Sequence, residues 1–396
     1  MRLDTKSPAF ILLLGAHAAL PPLSIDSSLP ALPSIGTSLS AAPAAVQWTL
    51  SGFLIGFAVG QILWGQMADR FGRRPVLLLG LLLYVVAGTG CVIAPSIATL
   101  ILARLAQGLG ACAGAVVSRA VIRDCFEGHA AVTKQALLGL LAPLAMLAAP
   151  ILGGAILSRF DWRMNFAVLP VTGALLILIT LVWLPETRRA AQAAKPAGFL
   201  AAAASFLREP RAVGFTLFNA LLFGAMFGYV SGSSPVLIGH FGVSAGLFGF
   251  FFAAAAIALI AGALFANVSL RYLPPRPARR ISLALLGGAL CLLLGFAATD
   301  SLALVLVAAA ALTFTCGSLT PHAIAGALAP LPKIAGTASG LLGVTQFLVG
   351  ALSATLIGTN QPGTVAGMLT TLSLFAAAAL VTGLLLEIFG REPSVL

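Results

Sequence analysis

The chain has 396 residues, of which 60% are hydrophobic and only 8% charged, with a mean hydropathy of +1.06 and a formal net charge of +11. Soluble domains are nearer half apolar and a quarter charged, so this composition excludes an ordinary water-exposed globule and makes lipid the expected solvent. Five scattered cysteines, Cys91, Cys112, Cys125, Cys291 and Cys316, form no CxxC or Cys/His cluster, so neither a disulfide framework nor a metal centre is expected.

A bilayer core takes about 20 helical residues to cross. Apolar runs of that size, cut at charges, prolines or glycine clusters, predict twelve spans at 8–31, 43–68, 75–95, 97–123, 133–158, 163–185, 210–238, 244–270, 279–298, 301–329, 334–358 and 363–389. The first run continues into a Pro/Ser stretch and lacks a small-residue cleavage site, so it reads as span one and not as a leader. The shortest connections are "APS" at 94–96 and "ATDS" at 298–301. With both termini inside, the inner segments collect 19 of the 22 basic residues, from Arg2 and Lys6 through Arg189 and Lys195 to Arg391. The outer loops hold Arg159 and Arg163, and Arg104 is left inside span four. This asymmetry orients the chain by the positive-inside rule and supports the count of twelve. The basic excess therefore serves topology and anionic headgroups, and no nucleic-acid partner is expected.

Span one ends in "PPLSIDSSLPALP", four prolines around one acid, Asp26. The prolines read as an irregular outer end of the span. Of eleven acidic residues, ten fall at membrane edges, loops or termini and Asp26 alone sits well within a span; a carboxyl in lipid is costly and marks function. If the span instead ends near Leu23, Asp26 is an interfacial cap. Span two leads into the basic turn "GQMADRFGRRP", where Gly72 permits a tight turn and Arg70, Arg73 and Arg74 offer planar forks. Asp69 is expected to face a helix N-terminus, that of span eleven, where a carboxylate is favoured. The turn reads as a latch for the outward-open state, or as a topogenic turn alone. Arg104 lies about 10 Å inside the outer end of span four, and Asp26 about 8 Å inside that of span one. The two are expected to share a cavity, directly or through water, with Gln107 on the same helix face as Arg104. Snorkelling of Arg104 to the outer headgroups is the competing reading.

In span five, Pro150 with Gly153 and Gly154 predicts a bend. Glycines spaced by four, at 52, 56 and 60, at 110 and 114, and at 336 and 340, predict close helix seams, static or gating. The longest inner connection, "PETRRAAQAAKPAGFLAAAASFLREPR", divides the chain into a bundle at 1–187, a linker at 188–209 with a short Ala-rich surface helix, and a bundle at 210–396. A second basic turn, "NVSLRYLPPRPARR", follows span eight as the first follows span two, so the halves read as two six-helix repeats, the architecture of many secondary transporters. In the second half Asn219, Phe223 and Met226 share a face of span seven. Thr315, Ser318 and His322 share one of span ten, and Gln346 lies in span eleven. These are candidate pocket residues or plain interhelical partners. His17 lies about 180° around the helix from Asp26 and reads as packing.

The pattern G-x3-D-R-x-G-R-R, carried by Gly65, Asp69, Arg70, Gly72, Arg73 and Arg74, resembles the major facilitator superfamily. "PLSIDSSLPALP", "VQWTLSGFLIGFAVGQILWGQMADRFGRRPVLL", "RLAQGLGACAGAVVSRAVIRD", "APILGG" and "AGTASGLLG" are similar to its Bcr/CflA branch of drug:proton antiporters. That branch usually has an aromatic shortly after the acid, where this chain has Ser27 and Ser28. The resemblance implies an all-α membrane protein of twelve transmembrane helices in two pseudo-symmetric six-helix bundles. It implies a bacterial inner-membrane location with both termini cytoplasmic. It also implies export of small, largely apolar drugs in exchange for protons, with the 150–154 stretch assigned to coupling. In this reading Asp26 takes up a proton outside and releases it inside. The expected partners are a small-molecule substrate and the bilayer, the expected state is a monomer, and no cofactor or metal is implied. An exporter or uniporter of a physiological metabolite is the alternative. The sequence holds no P-loop, GxSxG, HExxH or metal-spaced His/Cys set, so ATP-driven transport and enzymatic activity are not expected.

Overall fold

The computed structural model describes residue 4, residues 7–188 and residues 199–389. Arg2, Lys6, Arg189, Lys195, Arg391 and the 189–198 part of the expected linker lie outside the described residues. Among the described residues the regular structure is helical, as lipid requires of a chain that must satisfy every backbone N–H and C=O internally. Eleven helices are long and apolar enough to cross a membrane. A twelfth span arises when the pair Pro8–Ala18 and Leu20–Ser38, bent by 41°, is taken as one.

In the first half, α1 (Pro8–Ala18), α2 (Leu20–Asp26) and α3 (Leu32–Ser38) form that broken span. Four long helices follow: α4 (Pro43–Phe71), α5 (Arg73–Val92), α6 (Ile97–Cys125) and α7 (Gly128–Leu157). α8 (Arg163–Trp183) closes the half. The prolines act differently from the expectation that they end span one. Pro21 and Pro22 have no N–H to return to the turn before, so the helix breaks at Ala19 and restarts. Pro21, Pro30 and Pro33 each sit in the first turn of a new helical segment, where the missing donor costs nothing. Span one therefore runs on to Ser38, and Asp26 lies deeper than an end near Ala31 would give. The short "APS" connection works because Ser96 caps α6. Its hydroxyl accepts the Thr99 N–H while Thr99 Oγ1 accepts the Ser96 N–H. α7 is one unbroken helix with Pro143 and Pro150 inside it, so the expected bend at Pro150 is not a helix break.

The linker helix α9 (Phe199–Leu207) precedes α10 (Pro210–Ser234), and Phe206 is buried with Ala212 and Ala338. α10 passes into a π-helical turn, Pro235–His240, in which the Phe241 N–H reaches back to the Val236 carbonyl. α11 (Ala245–Tyr272), α12 (Pro275–Phe296), α13 (Leu302–Leu328), α14 (Ala335–Thr359) and α15 (Val365–Phe389) complete the chain. By internal contacts it divides into two units, Met1–Ala194 with Ser233–Ala253, and Lys195–Gly232 with Ala254–Leu396.

The two halves repeat one packing device. A Cβ on Gly56 of α4 would lie 1.9 Å from the Leu105 carbonyl oxygen of α6, and a Cβ on Gly108 of α6 would lie 2.0 Å from that of Phe53. In the second half the same reciprocal approach joins Gly262 of α11 to the Phe314 carbonyl at 1.9 Å and Gly317 of α13 to that of Leu259 at 2.1 Å. Only glycine admits such backbone contact, so the expected seam of span two is a packing seam. Gly340 of α14 has open space beside it among the described residues, so no close approach is made at that position of the expected seam. Large apolar side chains such as Leu82, Val86, Leu102 and Leu178 point outward, as helices in lipid allow.

Candidate functional site

The first unit is organised around Asp26 and Arg104. Asp26, the last residue of α2, is 3% exposed and has no hydrogen-bond or ion-pair partner among the described residues. Arg104 of α6 is 0% exposed, so it does not snorkel. Its guanidinium lies 4.5 Å from the Phe53 ring centroid and 5.5 Å from that of Phe166, where the ring faces favour a cation. Nη1 donates to the Ser24 carbonyl at 3.1 Å and to Gln107 Oε1 at 2.7 Å, and Nε donates to the Thr49 carbonyl at 3.4 Å. Nη2 has no partner. Of the two expected arrangements, direct or through water, the direct Asp26–Arg104 pair does not form. The reason is local: Ser24 and Asp26, two apart on a helix, do not face the same side. The Ser24 side takes Arg104 through its carbonyl and Tyr84 of α5 through its hydroxyl, at 2.7 Å. Gln107 is fully buried, with Nε2 unpartnered. His17 is structural. Its Nδ1 donates to the Leu13 carbonyl at 2.6 Å and its Nε2 accepts from Thr180 Oγ1 at 2.9 Å.

The 150–154 stretch of α7 meets this site through glycine. A Cβ on Gly153 would lie 2.1 Å from the Ser27 carbonyl oxygen, and one on Gly154 would lie 2.1 Å from that of Ala245. Pro150 falls in the same turn, inside the continuous helix.

The basic turn is built as a clamp. Gly72, at φ +102°, ends α4 and starts α5, a conformation that other residues resist. Arg73 Nη1 donates to Asp69 Oδ1 at 2.5 Å, and Arg73 Nε to Asp124 Oδ2 at 2.7 Å. Asp124 is 7% exposed and Asp69 is 71% exposed, so the pair with Asp124 contributes more to holding the turn. Gly65 has open space beside it. Arg70 lies over the Phe71 ring, and its carbonyl accepts Arg188 Nη1 at 2.8 Å.

Sequence reasoning missed Glu186. Its Oε1 accepts the N–H groups of Arg73 at 2.9 Å, Thr187 at 3.0 Å and Arg188 at 2.9 Å, and its Oε2 accepts that of Arg74 at 3.1 Å. The carboxylate thus sits at the N-terminus of α5, where its charge is favoured. Partial burial pushes against ionisation, but the four backbone donors outweigh it and hold the carboxyl below its ordinary range. Because the folded value is depressed, this stabilisation is complete above the ordinary glutamate range of about 4.3 and is lost as pH falls through the folded value. Glu186→Gln is expected to lower unfolding stability by about 1 kcal/mol at pH 7, small because the group is exposed. The gap between wild type and variant should close as a thermal-melt series is taken into acid. The second half has its own counterpart: Glu387 at the end of α15 holds Arg279, and Arg280 Nε at 2.9 Å, both at the start of α12. The "PE" that opens the linker and the lone acid ending span twelve were the available signals.

In the second unit, Asn219 Nδ2 donates to Gln346 Oε1 at 2.9 Å. Phe223 lies 5.7 Å from Phe227, stacked, and 5.2 Å from Phe347, edge to face. Met226 is half-buried on the same stretch of α10. Ser318 is fully buried, with its O–H donated to the Thr315 carbonyl, so it has no donor to spare. His322 is buried with Nε2 unpartnered. The amide pair, the aromatic trio and Met226 form one patch of α10 and α14, while Ser318 and His322 belong to α13. Among the described residues no group of three or more His, Cys, Asp or Glu could hold a metal.

Twelve helical spans in two repeats, with a lone acid and an arginine buried in the first, define a transporter of the membrane-embedded secondary type. A family model described as Major Facilitator Superfamily matches residues 19–354, and the chain belongs to that family. It is 31% identical to the "Bicyclomycin resistance protein homolog" of Haemophilus influenzae, over 92% of each chain. It is 30% identical to "Multidrug resistance protein D" of Escherichia coli K12, over 84% of this chain and 85% of that one. Both relatives agree with the resemblance to the drug-exporter branch. Among solved structures, a bacterial homologue of the human lysosomal transporter Spinster, in an inward-facing and occupied conformation, superposes with a TM-score of 0.77. It is 17% identical and covers 99% of this chain and 100% of that one. A D-xylose–proton symporter superposes at 0.71, 17% identical, over 98% and 100%.

Proposed function

We propose that the protein exports small, largely apolar drugs from the bacterial cytoplasm by alternating access, in exchange for protons, with both termini cytoplasmic. The observation that carries this reading is Asp26, a carboxyl held in a lipid-embedded bundle with no partner among the described residues. An unpaired buried charge is expensive and neutralisation relieves the cost, so the group is suited to take a proton in one state and lose it in another. Arg104 supplies positive charge to the same bundle without neutralising Asp26 in a fixed ion pair, which leaves the acid free to cycle. The proton gradient supplies the energy, and no cofactor or metal enters the cycle. The two relatives named for drug resistance support a drug as cargo. The amide pair Asn219–Gln346 and the rings of Phe223, Phe227 and Phe347 suit a neutral solute with an aromatic or apolar body. A single chain carries both repeats, so a monomer is the working unit.

The test is a drug-susceptibility panel in an efflux-deficient host, followed by transport of the best substrate in proteoliposomes. Expression should raise resistance to at least one neutral drug, and counterflow should depend on pH. Flux without pH dependence would make the protein a uniporter, and flux of a metabolite alone would remove the drug assignment.

A further inference from the structure

We propose that Asn165, at the outer start of α8, is the positioning residue that ties the proton-carrying segment of span one to α7. This rests on the reading of Asp26 as proton carrier. Ser27 follows Asp26 and caps α2, at the interruption before the short helical turn Leu29–Ala31. Asn165 is 1% exposed. Its Nδ2 donates to the Ser27 carbonyl at 2.9 Å and to the Gly153 carbonyl at 3.2 Å. One amide group therefore holds two backbones together, at the point where Gly153 admits the Ser27 carbonyl closer than any side chain would. On its other side the same turn of α7 is seated against the start of α11. A Cβ on Gly154 would lie 2.1 Å from the Ala245 carbonyl oxygen, and one on Gly249 would lie 2.6 Å from the Ile151 backbone. A displacement of the Asp26 segment is then handed to α7, and through it to α11, instead of being absorbed in a loose junction.

The junction is also incompletely bonded. Asn165 Oδ1 and Ser27 Oγ are buried without partners, and Asp26, the residue before Ser27, has none among the described residues either. Protonation gives Asp26 an O–H donor that the carboxylate lacks, and an orphaned amide oxygen is an acceptor in need of one. A protonated Asp26 that met such an acceptor would give the junction a second hydrogen-bonding arrangement, as a coupling element requires. Among the charged or titratable groups on the elements around it are His17 of α1, Tyr84 and Cys91 of α5, Arg104 and Cys112 of α6, and Arg163 of α8. α7 brings none between Leu138 and Leu157, and α11 none between Ala245 and Ala253.

Wild type, Asn165→Leu (similar in size, no donor) and Asn165→Gln (donor kept) are reconstituted and assayed with chloramphenicol and bicyclomycin as probes. Two quantities are read: uphill accumulation driven by a pH step, and counterflow without one. Asn165→Leu should keep counterflow within about twofold while its uphill accumulation falls about tenfold, and Asn165→Gln should recover most of it. If Asn165→Leu fails to reach the membrane, Asn165→Ala is judged by the same ratio. A leucine variant that builds the wild-type gradient overturns the proposal. So does one whose counterflow and uphill transport fall in the same proportion, since that marks packing alone. A wild-type protein that builds no gradient overturns the proton-coupled reading itself, and does so without any substitution.

Discussion

Asp26→Asn is expected to abolish proton-driven uphill efflux while leaving substrate counterflow intact and independent of pH. Asparagine has nearly the shape of the protonated acid and cannot lose a proton, so it traps the segment in its neutral form. The size of the effect follows from the gradient. One pH unit is worth about 1.4 kcal/mol per proton, or a tenfold substrate gradient for one proton exchanged. Wild-type vesicles under that step should approach about tenfold accumulation and the variant should show none. Folding separates this outcome from simple damage. Asp26 makes no hydrogen bond or ion pair that the substitution would break, and removing a buried unpaired carboxyl does not weaken the bundle. The melting temperature should therefore be equal or higher. Full uphill transport by a well-folded Asp26→Asn protein would remove Asp26 from the proton path.

Most of this fold was legible because the bilayer imposes a length and a polarity on each segment. Helix ends fell within a few residues of the expected spans wherever a charge, a Gly or a cap marks the interface, as at Gly72 and Ser96. Span one departed, because a proline can open a helical turn as well as close one and the sequence alone does not say which. The candidate site was half legible. An acid and an arginine in apolar runs stand out on cost alone, but their mutual geometry depends on side-chain direction along a broken helix. Arg104 turned out to be held by backbone carbonyls and two rings, and not by Asp26. Glu186 and Asn165 were missed for a shared reason: each has backbone partners far off in sequence, the Arg73 and Arg74 N–H groups 113 and 112 residues from Glu186 and the Ser27 carbonyl 138 from Asn165, which no local pattern encodes. Ser27 and Ser28 read as a departure from the aromatic of related carriers. Ser27 meets Asn165 through its carbonyl, which any residue would supply.

Arg104→Lys is expected to fail despite keeping the charge, and the failure should exceed that of any change in the basic turn. The guanidinium uses its planar fork to reach the Ser24, Thr49 and Gln107 oxygens at once while lying between Phe53 and Phe166. An ammonium is a compact, strongly hydrated point charge that cannot match that geometry. The substitution leaves at least two buried acceptors short of a donor, each costing about 1–3 kcal/mol, and it buries a cation that carries its water less willingly into lipid. Stability should drop by about 2–4 kcal/mol and transport by about 100-fold. A companion variant, Gln107→Leu, removes one acceptor and relieves one unpartnered donor, Nε2, so it should cost far less. Thermal melts with counterflow on both proteins decide the matter. Near wild-type counterflow from Arg104→Lys would mean that charge alone is needed there, and the fork geometry would then have no part in transport.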